Sequence, residues 1–290
     1  MKITKIVPYF VLSFSMLLPM NASMPNASSY KEKDFKQKYS MSAHDESTYD
    51  LQRQQSKERA EQLVNTYIDN AINGAKRIIE NKKKSGYYSA VRQELPGAPR
   101  GKHGTLHCLY GQYTQLNRAL AQMGDTIKII PNEHNAHMST KSFRHYMSEL
   151  YNNEKYPNSI YCGHLYASDS DYDAALNKYI AAKTNGKTNV QDSVRNAYAQ
   201  EFGKNNFCAS KLNPGSIIIV TSGHAIMYLG QGKIENKTFV PDQNGEAICC
   251  AYNSEQTAIC LSTWNTDRAF AADTKNIVAQ KYYDALTNQR

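Results

Sequence analysis

A change of hydrophobic rhythm near residue 213 constrains this chain more than any other feature. Before it, apolar residues recur at steps of three and four. Leu109, Tyr113, Leu116, Leu120 and Met123 form such a series, the single stripe of an amphipathic helix. After it comes Pro214-Gly215-Ser216-Ile217-Ile218-Ile219-Val220, a β-branched run suited to a buried strand. Further strand candidates lie at 225–229, 238–240, 247–252 and 257–262. Helices first and an antiparallel meander afterwards predict an α+β domain.

The helical half is predicted in pieces. Ala60, Leu63, Val64, Tyr67, Ile68, Ala71, Ile72, Ala75, Ile78 and Ile79 trace one broad apolar face, so 57–84 is a long amphipathic helix with Gly74 as its weak spot. Three lysines at 82–84 suit its negative end. It is either an element added to the domain, a pro-segment, or the first helix of the core. Residues 30–56 are polar, without periodicity, and read as a flexible leader, while 85–105 is loop-rich. Helices are expected at 139–151, 171–183, 190–202 and 269–287, and a short strand at 127–130. In the stripe helix, Gln112, Gln115, Arg118 and Gln122 are expected to face away from the core.

Lys2 and Lys5 precede a fifteen-residue apolar run from Ile6 to Met20, with small residues after it. The run is shorter than the roughly twenty residues a spanning helix needs, so 1–29 reads as a signal peptide and the protein as exported, periplasmic or extracellular. Net charge is +8. An excess of cations favours an anionic cell-wall or membrane surface, whereas the scattered basic residues carry no nucleic-acid motif. Six cysteines in an exported chain suggest disulfides. A tight turn at Ser254-Glu255 would set Cys249 opposite Cys260 and turn Cys250 to the other face.

Cys108 is the candidate nucleophile. Pro96, Gly97, Pro99, Gly101 and Gly104 break the chain just ahead of it, so it opens a helix, where unpaired N–H groups and the helix dipole favour a thiolate. On its own such a cysteine is more often simply buried. A nucleophilic cysteine also needs an imidazole, and a third group to orient that imidazole. His224, after Gly223 and at the mouth of an apolar strand, suits the base. His107 does not, because successive helical residues point apart.

The stretch P-G-S-I-I-I-V-T-S-G-H-A-I-M-Y-L-G-Q-G-K-I resembles the central strands of NlpC-like and CHAP-type cell-wall hydrolases, members of the papain-like cysteine peptidase superfamily. Pro214, Gly215, Gly223, His224, Gly230 and Gly232 match its pattern, with Cys108 in the helix-opening position. The His107-Cys108-Leu109 context and the 116-residue interval to His224 depart from the usual Asp-Cys-Ser-Gly and the shorter spacing. The resemblance implies a papain-like fold and a hydrolase cleaving peptide or amide bonds through a thioester, with peptidoglycan as substrate. It aligns Asn236 with the orienting residue. Hairpin geometry suggests Asp242 instead: a seven-residue loop at 230–236 would pair Ala225 with Pro241 and bring Asp242 opposite His224. A carboxylate holds an imidazolium better than an amide does. The oxyanion would meet the Cys108 N–H and one further donor, for which Gln93, Tyr87 and Tyr88 are in range of the sequence.

Neither cofactor nor metal is expected. The partners that follow are peptidoglycan or a peptide, an anionic wall or membrane surface, and an inhibitor or immunity protein. Three rivals stand beside this. One is a secreted protease or toxin acting on proteins. Another is a wall-binding module that kept the fold, its groove lined from among 21 tyrosines. The third is a zinc site drawn from His103, His107, Cys108, Glu133, His134 and His137.

Overall fold

The computed structural model describes residues 43–97, 107–130, 132–133, 139–187, 189–220, 223–236, 238–251, 261–262 and 265–288. The chain divides into Met1–Asp50 and one unit, Leu51–Arg290. The signal peptide and most of the predicted leader lie outside the described residues. No helix among those described is long and apolar enough to cross a membrane.

Seven helices and eight strands alternate as α1 (Ala43–Ser85), α2 (Tyr87–Glu94), α3 (His107–Gln122), α4 (Thr140–Asn152), β1 (Ile160–Tyr166), α5 (Asp169–Lys183), α6 (Asp192–Gly203), β2 (Asn206–Cys208), β3 (Ile217–Ile219), β4 (Ala225–Glu235), β5 (Thr238–Pro241), β6 (Glu246–Ala251), β7 (Leu261–Ser262), β8 (Thr266–Ala272) and α7 (Thr274–Thr287). The fold is α+β, with helices first. Its curled sheet runs β2-β1-β8-β3-β4-β6-β7, with β5 on β4. The sheet is mixed, which corrects the antiparallel expectation: β1 and β2 pair in parallel, Leu165 beside Phe207. Parallel neighbours need a crossover of a dozen or more residues, and α5 and α6 supply it.

Three further corrections follow. The helix of α1 begins at Ala43, inside the predicted leader. Residues 269–272 belong to β8, which lies between β1 and β3, and the closing helix starts only at Thr274 behind the Asp273 cap. Residues 127–130 form no strand, yet Ile129 and Ile130 are fully buried, the Ile129 N–H donating to Asn132.

One core lies between the helices and a sheet face. Leu63, Tyr67, Ala71 and Ile78 of α1 share it with Leu116 and Leu120 of α3, Phe143 and Met147 of α4, and Ile217, Ile219, Ala225, Met227 and Cys250 of the sheet. Residues 57–84 are therefore built into the core. The opposite face, with Ile218, Val220, Ile226, Tyr228, Cys249 and Ala271, closes over Leu165, Phe207 and Leu212. Cys249 and Cys250 thus take opposite faces.

Helix α3 is buried on two sides. Gln112 and Gln115, expected outside, have no exposed surface. Gln112 accepts from Tyr67 Oη at 3.1 Å, and Gln115 donates to Glu94 Oε1 at 3.1 Å. Glu94, at the end of α2, also takes the Arg77 guanidinium through two bonds of 2.7 and 2.8 Å and the Arg118 guanidinium from α3. Burial alone would raise the Glu94 pKa; the donors from Arg77, Gln115 and Arg118 outweigh it and hold it at about 2. Gly74 is the point of closest approach. A Cβ there would stand 2.4 Å from Gln115 Nε2 and 2.9 Å from Glu94 Oε1.

Glu94→Gln should cost roughly 3 kcal/mol, since it leaves two guanidiniums without their anion. Because the folded pKa is depressed, this stabilisation is full above the ordinary 4.5 and is lost as pH falls toward 2. Urea unfolding between pH 7 and pH 2 checks both, and the variant should show a flatter acid limb than the wild type. Gly74→Leu should destabilise by about 1–3 kcal/mol through overpacking alone, measured the same way.

Candidate active site

Cys108 is the second residue of α3, as the glycine-rich approach predicted. It is 2 % exposed and packs in the main core. Its sulfur lies within hydrogen-bonding reach of the Ala225 backbone N–H and of the Leu109 and Cys108 N–H groups. Ala225 opens β4 and directly follows His224. Helix α3 and the start of β4 thus bring the two predicted residues to one corner of the molecule, although 116 residues separate them in the chain.

The corner is a tight turn. The Val220 N–H donates to His224 O at 3.0 Å, and the Gly223 N–H donates to Val220 O at 2.9 Å. Gly223 has φ 77°, a left-handed conformation that a side chain would strain. A Cβ on it would also approach Thr140 Oγ1, the first residue of α4, to 3.3 Å. The N-termini of α3 and α4 therefore both abut the segment that carries His224.

Alternation along β4 sends Ala225, Met227 and Leu229 toward α3 and Ile226 and Tyr228 to the other face. Carried back one residue, it assigns His224 to the far face, opposite Val220 in the ladder. For the imidazole to reach Cys108, the side chain must turn around the end of the strand, next to the left-handed Gly223.

Neither titrating group is pre-ionised. Burial raises the Cys108 pKa more than the three N–H groups lower it, so the thiol is protonated at rest, against the thiolate expected from the helix dipole. Burial likewise pushes the His224 pKa below its usual range, and the ring is neutral. Among the described residues no side chain hydrogen-bonds the His224 ring.

The third residue predicted from hairpin geometry is not beside it. The hairpin is tighter and longer than expected, with Glu235 paired with Thr238 and Gly232 with Pro241. Asp242 consequently lies next to Gln231, its N–H donating to Gln231 O at 3.2 Å, some seven residues or roughly 20 Å along the strand from His224. Its carboxylate accepts the Asn244 N–H instead. Asn236 sits exposed at the hairpin tip with φ 50°. The seven-residue loop assumed in the prediction is replaced by β-ladder, with a bulge between Tyr228 and Gly230.

The remaining candidates separate similarly. Gln93 and Tyr87 fall on helix α2 rather than in a loop, with Gln93 exposed and the neighbouring Glu94 bound to Gln115 and Arg118, two turns or more beyond Cys108. Tyr88 lies on the same helix. Glu133 is committed to Lys155, Lys281 and Tyr156 at 2.9–3.0 Å. Among the described residues no three metal-ligating side chains gather; His103, His134 and His137 lie outside them. Cys249 stands opposite Leu261, one residue from the predicted register, and Cys260 is outside the described residues. No disulfide joins the described cysteines to one another.

Alkylation of Cys108 by iodoacetamide should accelerate through pH 9 without a plateau at lower pH, as a buried neutral thiol requires; peptide mapping of the labelled site checks it. Asp242→Ala and Asn236→Ala should leave any Cys108-dependent activity within about twofold of wild type, because general-base effects of 10² or more need hydrogen-bond proximity. Compared with protein-family models, with curated proteins and with solved structures, the chain matches none.

Proposed function

We propose that this protein is an exported, papain-like cysteine hydrolase cleaving peptide or amide bonds, with peptidoglycan as substrate. One observation carries the reading: the Cys108 sulfur rests against the Ala225 amide, one residue from His224, at the point where a helix N-terminus meets the end of a strand. The segment that resembles NlpC-like and CHAP-type hydrolases supplies β3 and β4, with the G-H pair in the turn at that corner. Basic charge and an N-terminal apolar run agree with export toward an anionic wall.

The chemistry starts from a neutral pair. As the Cys108 sulfur attacks the carbonyl carbon, its proton passes to His224, which turns toward it on substrate binding; catalytic contacts often tighten only in the complex. The developing oxyanion is stabilised by the Cys108 backbone N–H at the positive end of α3. Collapse breaks the C–N bond, and the amine leaves with the proton from His224. Water then attacks the thioester, giving its proton to His224, and the acid departs as the thiol is re-formed.

Purified protein should digest muropeptides, and Cys108→Ala and His224→Ala should each lower kcat/KM by about 10²–10⁴-fold. Activity confined to a protein-substrate panel would move the assignment to a secreted protease or toxin, and no hydrolysis of either class would end it. The pH profile of kcat/KM is expected to be a bell. Its acid limb should fall below pH 6.5, because His224 must be neutral, and its alkaline limb above pH 9, because the thiol carries the proton to be transferred.

A further inference from the structure

A row of residues runs across the helix-facing side of the sheet at the level of the candidate nucleophile. Ala225 pairs with Ile219, Ile219 with Phe270, and Phe270 with Cys162. Above the far end of that row lies Arg144, on the second turn of α4. Its guanidinium carbon stands 5.8 Å from the centre of the Phe270 ring, and its charge acts on the Cys162 thiol. Arg144 also lies one helical turn from Thr140, which abuts Gly223 in the His224 turn. Two independent paths therefore bring it close to the same corner. Phe270 is two strand spacings, about 10 Å, from Ala225 and the sulfur packed on it.

Arg144 differs from the two arginines of the Glu94 clamp. Arg77 and Arg118 are both taken up by Glu94. Among the described residues no carboxylate lies within ion-pair distance of Arg144; its neighbours are an aromatic face and a thiol. A half-buried guanidinium without an anion keeps its fork of donors available, and a carboxylate matches that fork with two parallel hydrogen bonds. The guanidinium carbon lies within cation–π distance of the Phe270 ring.

We infer that Arg144 is a specificity residue, binding a carboxylate of the substrate on the Phe270 side of the carbonyl that Cys108 attacks. The preferred substrates are acidic acyl or peptidyl chains bearing a free carboxylate a few bonds from the scissile amide. The assignment rests on the hydrolase reading above.

Two chloroacetamides that differ in one group test it, namely N-chloroacetyl-4-aminobutanoate and its primary amide. In each, the sulfur displaces chloride to give a thioether, and the carboxylate or amide ends up at the required reach. The labelling rate at Cys108 is followed by peptide mass mapping in the full chain with Cys162→Ser, which removes the neighbouring thiol. The carboxylate probe should label about tenfold faster than the amide, the low end for a charge-assisted hydrogen bond. Arg144→Gln should bring the two probes to the same rate, and Arg144→Lys should keep part of the preference. Equal rates for the two probes, or a preference that survives Arg144→Gln, would overturn the role of Arg144 and leave the hydrolase reading standing. If neither probe modifies Cys108, the thiol is closed to ligands and both fail.

Discussion

The carboxylate of Glu94 holds three helices in register. It draws Arg77 from α1 and Gln115 and Arg118 from α3 onto the end of α2. Removing a carboxylate from water costs several kcal/mol, a loss recovered only when its lone pairs are met by well-aligned donors. Here the donors win, as the pKa near 2 shows. Both arginines remain partly exposed, 49 % and 35 % at the side chain, so their own charges are never fully dehydrated. The clamp sits two to three turns along α3 from Cys108. It therefore fixes the azimuth and depth at which that helix presents its first turn to β4, without contacting the corner itself.

At that corner two effects oppose each other. A helix N-terminus stabilises a nearby negative charge by about 0.3–1 kcal/mol at exposed sites and somewhat more in partly buried ones. Full burial of a thiol can shift its pKa by several units the other way. With Cys108 2 % exposed, burial prevails. Burial of its own ring likewise keeps His224 neutral. On the proposed hydrolase reading, a pair built this way transfers its proton during attack rather than beforehand. Such a thiol is also protected from oxidation and metals while the site is empty, since both act on the thiolate.

The sequence made the stripe helix, the α+β division and the helix-opening place of Cys108 legible, because each is written in hydrophobic periodicity or in glycine placement. What it hid has physical causes. Gln112, Gln115 and Arg118 look like a solvent face, but Gln112 and Gln115 are buried because Tyr67 and Glu94 supply their partners, while Arg118 stays partly exposed on Glu94. Gly74 reads as a helix defect when seen alone; it is the gap into which Gln115 fits. Strand β8 was mistaken for helix because its buried half is mostly alanine, Ala269, Ala271 and Ala272 flanking Phe270, a composition with strong helical propensity. Pairing with β1 and β3 overrides that propensity. The β4–β5 register failed for a different reason. Turn residues fix where a hairpin reverses, and the reversal is confined to the tip at Asn236, in a left-handed conformation, rather than spread over a seven-residue loop at 230–236.

Misplacing that one reversal moved a carboxylate some 20 Å along the strand and removed both candidates for orienting His224. The consequence reaches beyond the third residue. An imidazole bordered by a left-handed glycine and with no hydrogen-bond partner among the described side chains is not held in a single orientation by those side chains. Turning it toward the sulfur costs only backbone and rotamer adjustment at the strand end, of order 1–3 kcal/mol for sparsely populated conformations. A bound substrate can supply that from interactions remote from the scissile bond. On the proposed hydrolase reading, Arg144 is well situated to do so: it shares α4 with Thr140, the residue beside Gly223, so an anion anchored there would couple through a single helical turn to the segment that carries His224.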